Sequence, residues 1–247
     1  MKKNLMLLSL LMAGSLTAVV AQNRPGNPTT GGAPTQMPTG MPGGGAPAQR
    51  TAPKPYKEVI TDKAKTDEGL FKVHTLDDKY FFELPDSLLS RDILIVTRIS
   101  KSAAGLSNGF SGYAGDIVNN NVIRFERGPN NKIFLKRVSF DQRGTDENGM
   151  YKSVVNSNTQ PIMQAFDVKA YNRDSVTNTR FTVIEMTDFI AGDNDVLFFN
   201  TGSKSSLQLG MMQADKSYTQ TVKSYPINIE IKTVKTYGRA ATPATAQ

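Results

Sequence analysis

From Tyr56 to about Tyr237 the apolar residues of this 247-residue chain recur at every second position far more often than at helical spacing. Successive side chains of a strand point to opposite faces, so this period builds sheets, and few segments carry an apolar stripe long enough for a helix of more than three turns. The expected class is mainly β, with antiparallel sheets and short helical turns. In residues 69–75, Phe71, Val73 and Thr75 share one face, and Leu70, Lys72 and His74 the other. Residues 79–84 group Tyr80, Phe82 and Leu84, and the stretch 85–90, opened by Pro85, reads as one helical turn. Residues 92–99, DILIVTRI, are the most β-branched run, and their near-continuous hydrophobicity predicts a central strand buried on both faces. A Gly/Ser/Asn-rich loop is expected over 101–121, with glycines at 105, 109, 112 and 115. Residues 122–127 and 132–140 read as a hairpin closed by Gly128-Pro129-Asn130-Asn131. Residues 162–171 and 180–186 read as a second antiparallel pair. A turn-like stretch over 187–195 carries a short helix ending at Gly192, and Ile227, Ile229 and Ile231 open a long strand reaching Tyr237.

This β-rich body is preceded by a signal peptide and a disordered linker. Lys2 and Lys3, an apolar run from Leu5 to Val20 and the small residues before Gln22 form the three parts of an export signal, residues 1–21, cleaved between Ala21 and Gln22. Ser9, Gly14, Ser15 and Thr17 interrupt the apolar run, which falls short of the ~18–20 residues of a spanning helix, so no transmembrane anchor is expected after cleavage. The expected location is periplasmic or secreted. The absence of cysteine removes both an acylated lipoprotein anchor and disulfides, leaving a hydrophobic core to hold the fold. Residues 22–55 hold 8 prolines and 7 glycines with no aromatic or acidic residue, a composition too poor in apolar surface to offset its ordering entropy. Removing Lys2 and Lys3 from 29 basic residues leaves 27 against 22 acidic, a net charge of +5. A solvated surface accounts for such an excess, and no nucleic-acid partner is expected of an exported chain.

One histidine and no cysteine exclude a His/Cys zinc site, a thiol nucleophile and a histidine-pair metalloprotease helix within this chain. His74 lies beside Lys72 in an alternating strand and is expected to point to solvent or pack at an edge. Gly109-Phe110-Ser111-Gly112-Tyr113 approaches a G-x-S-x-G nucleophile turn, but tyrosine replaces the last glycine and no strand-to-helix turn is expected there. Asp193-Asn194-Asp195 with Asp188, and Asp146-Glu147-Asn148-Gly149, offer oxygen ligands but lack the order and distal glutamate of a calcium loop, so turn chemistry explains them better. Around residues 124–143, Arg124, Arg127, Lys132, Lys136, Arg137 and Arg143 interleave with Phe125, Phe134 and Phe140. Strand alternation puts the phenylalanines in the core and the cations in water. No catalytic, cofactor-binding or metal-ligating residue is assigned.

The run KPYKEVITDKAKTDEGLFKVHTLDDKYFFELPDSLLSRDILIVTRISKSAAG, residues 54–105, resembles the start of a family of secreted bacterial zinc-dependent metalloproteases. In that family two domains of unknown function precede a metzincin-like catalytic domain. The pieces NNNVIRFERGPNNKIFLKRV, VIEMTDFIAGD and DKSYTQTVKSYPINIEIKTVKTYG resemble the second of those domains. The resemblance implies a small N-terminal domain over 56–105, a second β-rich domain over 106–239 that is incomplete, and a disordered tail over 240–247. It also implies a zinc cofactor only in the downstream catalytic domain, held by an H-E-x-x-H-type helix that this chain lacks, so no catalytic position carries over and the chain is expected to be inactive alone. The AATPATAQ ending reads as a linker, as in a fragment of a longer protein. The partners so implied are the downstream peptidase domain or a peptide or protein substrate. The alternative is a free-standing exported binding module for a surface polysaccharide or protein, using the 101–121 loop or the basic hairpin; a serine hydrolase built on Ser111 is a third reading.

Overall fold

A computed structural model describes residues 52–107, 109–141 and 149–240 of the chain. The expected signal peptide, the linker up to residue 51, Arg143, Asp146-Glu147-Asn148 and all of the tail after Ala240 lie outside the described residues. Among those described, no helix is long and apolar enough to cross a membrane.

The fold is mainly β and antiparallel, as the two-residue period requires. Helix α1 (Tyr56–Val59) leads into β1 (Lys65–Asp67), β2 (Lys72–Leu76), β3 (Lys79–Pro85) and β4 (Asp92–Arg98). Then come β5 (Ile117–Gly128), β6 (Lys132–Arg137), α2 (Met150–Ser157), β7 (Ile162–Arg173) and β8 (Arg180–Glu185). The remainder is α3 (Thr187–Ala191), α4 (Thr201–Ser206), β9 (Leu209–Met212), β10 (Tyr218–Ser224), β11 (Ile229–Val234) and β12 (Tyr237–Arg239). Strands β1 to β8 form one sheet in the order β1-β2-β3-β8-β7-β6-β5-β4, while β10 pairs with β11 and β12 with β9.

Strand β7 joins the two halves of the large sheet. Its first half pairs with β6 and its second half with β8, with a register irregularity between Val168 and Ala170. The irregularity frees the Lys169 carbonyl, which accepts from the Lys54 backbone N–H at 2.8 Å and so ties the segment before α1 to the sheet. Asn130 and Asn131 both take positive φ in the three-residue β5–β6 connection, residues 129–131, between the paired Gly128 and Lys132.

The sheet buries one face against the C-terminal third of the chain. Phe82, Leu84, Ile123, Phe125, Ile133, Leu135, Phe166, Val168 and Ile184 pack there with Phe189 and Ile190 of α3, Val196 and Val222. On the opposite face, α1 and Ile60 cover Phe81, Ala170 and Val183. Both faces of β2 and β3 are therefore closed.

Four expectations are corrected. Strand β4 is an edge strand, not a central one: Ile93 and Ile95 pack on the core, but Leu94 is 66% and Val96 45% exposed. The predicted loop ends earlier, because Asn119, Asn120 and Asn121 belong to β5. Asn119 and Asn121 donate to the carbonyls of Asp195, Val196 and Phe198, so polar residues occupy an inner face by holding a loop against it. The strand expected from Ile227 to Tyr237 is two strands, since Lys235 and Thr236 turn away to other partners and Ile227 is exposed. Of the hairpin phenylalanines only Phe125 lies in the core. Phe134 lies on the far face across Gly128, where an added Cβ would sit 2.7 Å from its ring, and Phe140 is exposed.

Candidate functional site

A carboxylate and an imidazole are buried beneath α1. Glu83 stands mid-strand in β3, between Phe82 and Leu84, and is fully buried; His74, on the neighbouring β2, is 1% exposed. His74 therefore does not face solvent, because α1 closes the face on which the sequence placed it. Its Nε2 lies 2.8 Å from Glu83 Oε2, which also accepts from the Tyr56 hydroxyl of α1 at 2.8 Å. The other carboxylate oxygen accepts from Asn172 Nδ2 of β7 at 2.8 Å. On the far side of the ring, His74 Nδ1 lies 2.8 Å from Thr66 Oγ1 of β1.

Burial by itself pushes the Glu83 carboxyl up, but the hydrogen bonds from His74, Asn172 and Tyr56, and the imidazole's charge, outweigh it and hold the group below its ordinary value. The same contact acts oppositely on Tyr56, whose hydroxyl is raised by burial and by donating to a carboxylate. An ionised Glu83 only accepts, so Nε2 carries a hydrogen.

Thr66, His74 and Glu83 thus form a hydroxyl–imidazole–carboxylate series. It inverts the order of a hydrolase triad, in which the hydroxyl meets Nε2 and the carboxylate orients Nδ1. The described cavities do not reach it, and every polar atom of the Glu83 carboxylate and the His74 ring has a protein partner. What the arrangement does is bind α1, β2, β3 and β7 to one another through a single buried carboxylate, with β1 joined to it through the His74 ring.

The other candidate residues are engaged elsewhere. Asp193 accepts from Lys204 Nζ at 2.7 Å and from the Tyr237 hydroxyl at 3.0 Å, and Asp195 pairs with Arg137 at 2.9 Å. Asn194 accepts from the Leu197 N–H, the turn chemistry expected of it. Among the described residues no three His, Asp or Glu side chains converge as a metal site. In the basic hairpin Arg124 pairs with Asp92, Arg127 with Asp86, Lys132 with Asp167 and Lys136 with Glu126. Ser111 lines an open depression of about 390 Å³ with Phe110, Asp116, Ser203 and Leu207. No imidazole lines it, and Asp116 is occupied in accepting from the Gly112 and Tyr113 N–H groups.

Lys235 was not singled out from the sequence. Its ammonium donates to the carbonyls of Ile190, Ala191 and Gly192 at the end of α3 and lies 4.2 Å from the centre of the Phe198 ring. Burial lowers its pKa to about 8, against the pull of Asp193.

Residues 115–247, more than half of the chain, match the family described as Domain of unknown function (DUF5117). The chain belongs to the DUF5117 family. Residues 53–102 match a second family, Domain of unknown function (DUF5118). No curated protein matches the chain, and no solved structure does. The DUF5118 segment supplies Tyr56, Thr66, His74 and Glu83 to the buried cluster, and the DUF5117 segment supplies Asn172. The two segments are also interleaved in the sheet: β1, β2 and β3 lie at one end and β4 at the other, with the DUF5117 strands between them.

Proposed function

We propose that this DUF5118–DUF5117 chain is the non-catalytic region of a secreted zinc-metalloprotease-like protein, a β-rich module that scaffolds, covers or presents substrate to a peptidase domain. Export through the signal at residues 1–21 would place it in the periplasm or outside the cell. The extended resemblance over residues 54–238 motivates the family reading. The observation that carries the non-catalytic part is the state of His74: the chain's one imidazole has both nitrogens engaged inside a closed network, so it is available neither to ligate zinc nor to activate water. Zinc would be held by the downstream domain.

A second reading, a free-standing binding module for a surface polysaccharide or protein, is favoured by the depression beside α4, which the fully exposed Phe110 lines, and by Tyr113, half exposed on the same loop. Exposed aromatic faces on a loop suit stacking on an apolar ligand face. The sequence encoded beyond Gln247 separates the two. A continuation carrying a histidine-pair zinc motif supports the peptidase companion. An unrelated neighbouring gene, together with a stable 247-residue product that binds a glycan or protein, overturns it in favour of the module.

A further inference from the structure

Among the described residues strand β4 is an open edge, and its residues are arranged to pair with themselves. We infer that two copies of this chain associate through β4, antiparallel about a two-fold axis at Ile95, joining their sheets into one continuous sheet. This goes beyond the proposed function and does not depend on it.

The direction of the free backbone groups follows from β5. The Val138 N–H donates to the Val122 carbonyl, so Val122 turns its polar groups toward β6, and Ile123, next along, turns its own toward β4. Ser90 N–H donates to the Phe125 carbonyl, which keeps the same parity. Ile93 and Ile95, opposite Ile123 and Asn121, therefore spend their hydrogen bonds on β5, while Asp92, Leu94, Val96 and Arg98 aim theirs outward. No other described strand takes them up.

A second β4 satisfies them only in registers that match outward residues with outward residues. Centring the axis on Ile95 sets Leu94 against Val96 of the second copy and Asp92 against Arg98 of the second copy, each twice. Both apolar residues are exposed in the single chain, and the two ends of the strand carry opposite charges, Asp92 shared with Arg124 and Arg98 with the Gly115 carbonyl of its own chain. Centring on Leu94 or Val96 instead leaves neither Asp92 nor Arg98 opposite a charge of the second copy. No lysine or proline, two residues that commonly block such pairing, lies within Asp92–Arg98. The register irregularity at Thr97/Arg98 places its extra residue, Val118, on β5, so β4 itself stays regular.

The test is the mass of the full chain by sedimentation across concentrations, with the register read by cysteine cross-linking in a protein that has no cysteine of its own. The expected result is a species of twice the single-chain mass. Leu94→Lys, at an exposed position that the monomer fold tolerates, is expected to weaken the dimer about 100-fold, tenfold for each symmetric copy. Ile95 faces itself in a pair without mutual hydrogen bonds, where Cα atoms approach to ~4.5 Å, so Ile95→Cys is expected to form a disulfide dimer under mild oxidation. Should Ile95→Cys not fold, a mixture of Leu94→Cys and Val96→Cys chains reads the same register. It is expected to cross-link between the two variants in preference to either with itself. A monomer at every concentration overturns the inference. So does a dimer that Leu94→Lys leaves intact, or Leu94→Cys cross-linking to itself as readily as to Val96→Cys.

Discussion

A carboxylate in the middle of Tyr80-Phe81-Phe82-Glu83-Leu84 is costly to bury, and Glu83 meets that cost with three donors from three elements. Because its carboxyl is held below the ordinary value of 4.5, the folded state binds fewer protons at this site than the unfolded chain. Its contribution to stability is therefore complete above that ordinary value and is lost as the pH falls through the lower folded one. Glu83→Gln is expected to destabilise the fold at pH 7 by about 1–3 kcal/mol, the usual cost of leaving buried donors poorly paired. Chemical denaturation as a function of pH checks this: the gap between wild type and variant narrows as pH falls below 4.5. A gap independent of pH would place the stabilisation in packing rather than charge. The cluster was only partly legible. His74 and Glu83 are nine positions apart, but Asn172 is 89 residues from Glu83, and alternation alone could not show that α1 closes the face they share.

Among the elements, α3 shows how a five-residue helix is held in place. Gly192 ends it, and the Lys235 ammonium, arriving from between β11 and β12, takes up three of its terminal carbonyls. Lys235→Met keeps an apolar stem over Phe198 but leaves those carbonyls without their donor, so a lower midpoint in thermal or denaturant unfolding is expected. The pKa of about 8 adds a sign: the folded state binds fewer protons here than the unfolded chain between about 8 and 10.5. Across that window wild type should therefore gain stability relative to Lys235→Met as pH rises. A variant as stable as wild type at every pH would contradict the role given to Lys235.

Elements with local signals were legible. The Asn130-Asn131 turn, the β7–β8 pair and the Gly192 helix end all declare themselves within a few residues. Strand β4 did not, because DILIVTR reads alike whether a strand is covered on both faces or left open at an edge. Asn119-Asn120-Asn121 read as loop because their partners, the carbonyls of 195–198, lie more than 70 residues away.

Across the whole molecule, the ladders β3–β8 and β4–β5 are where the DUF5118 and DUF5117 segments meet. Residues 53–102 contain no partner for β4, and Glu83 without Asn172 loses one of its donors. Each segment made alone is therefore expected to lack cooperative unfolding, and the two made together to recover it, as read by circular dichroism and denaturant titration. Independent cooperative folding of residues 53–102 would contradict the interleaved account. The functional account rests on the engagement of the chain's one imidazole, and it is tested most directly by the metal content and peptidase activity of the purified chain. The account predicts far less than one zinc per chain after dialysis and no chelator-sensitive peptide hydrolysis. Stoichiometric zinc, with hydrolysis that a chelator abolishes, would contradict it.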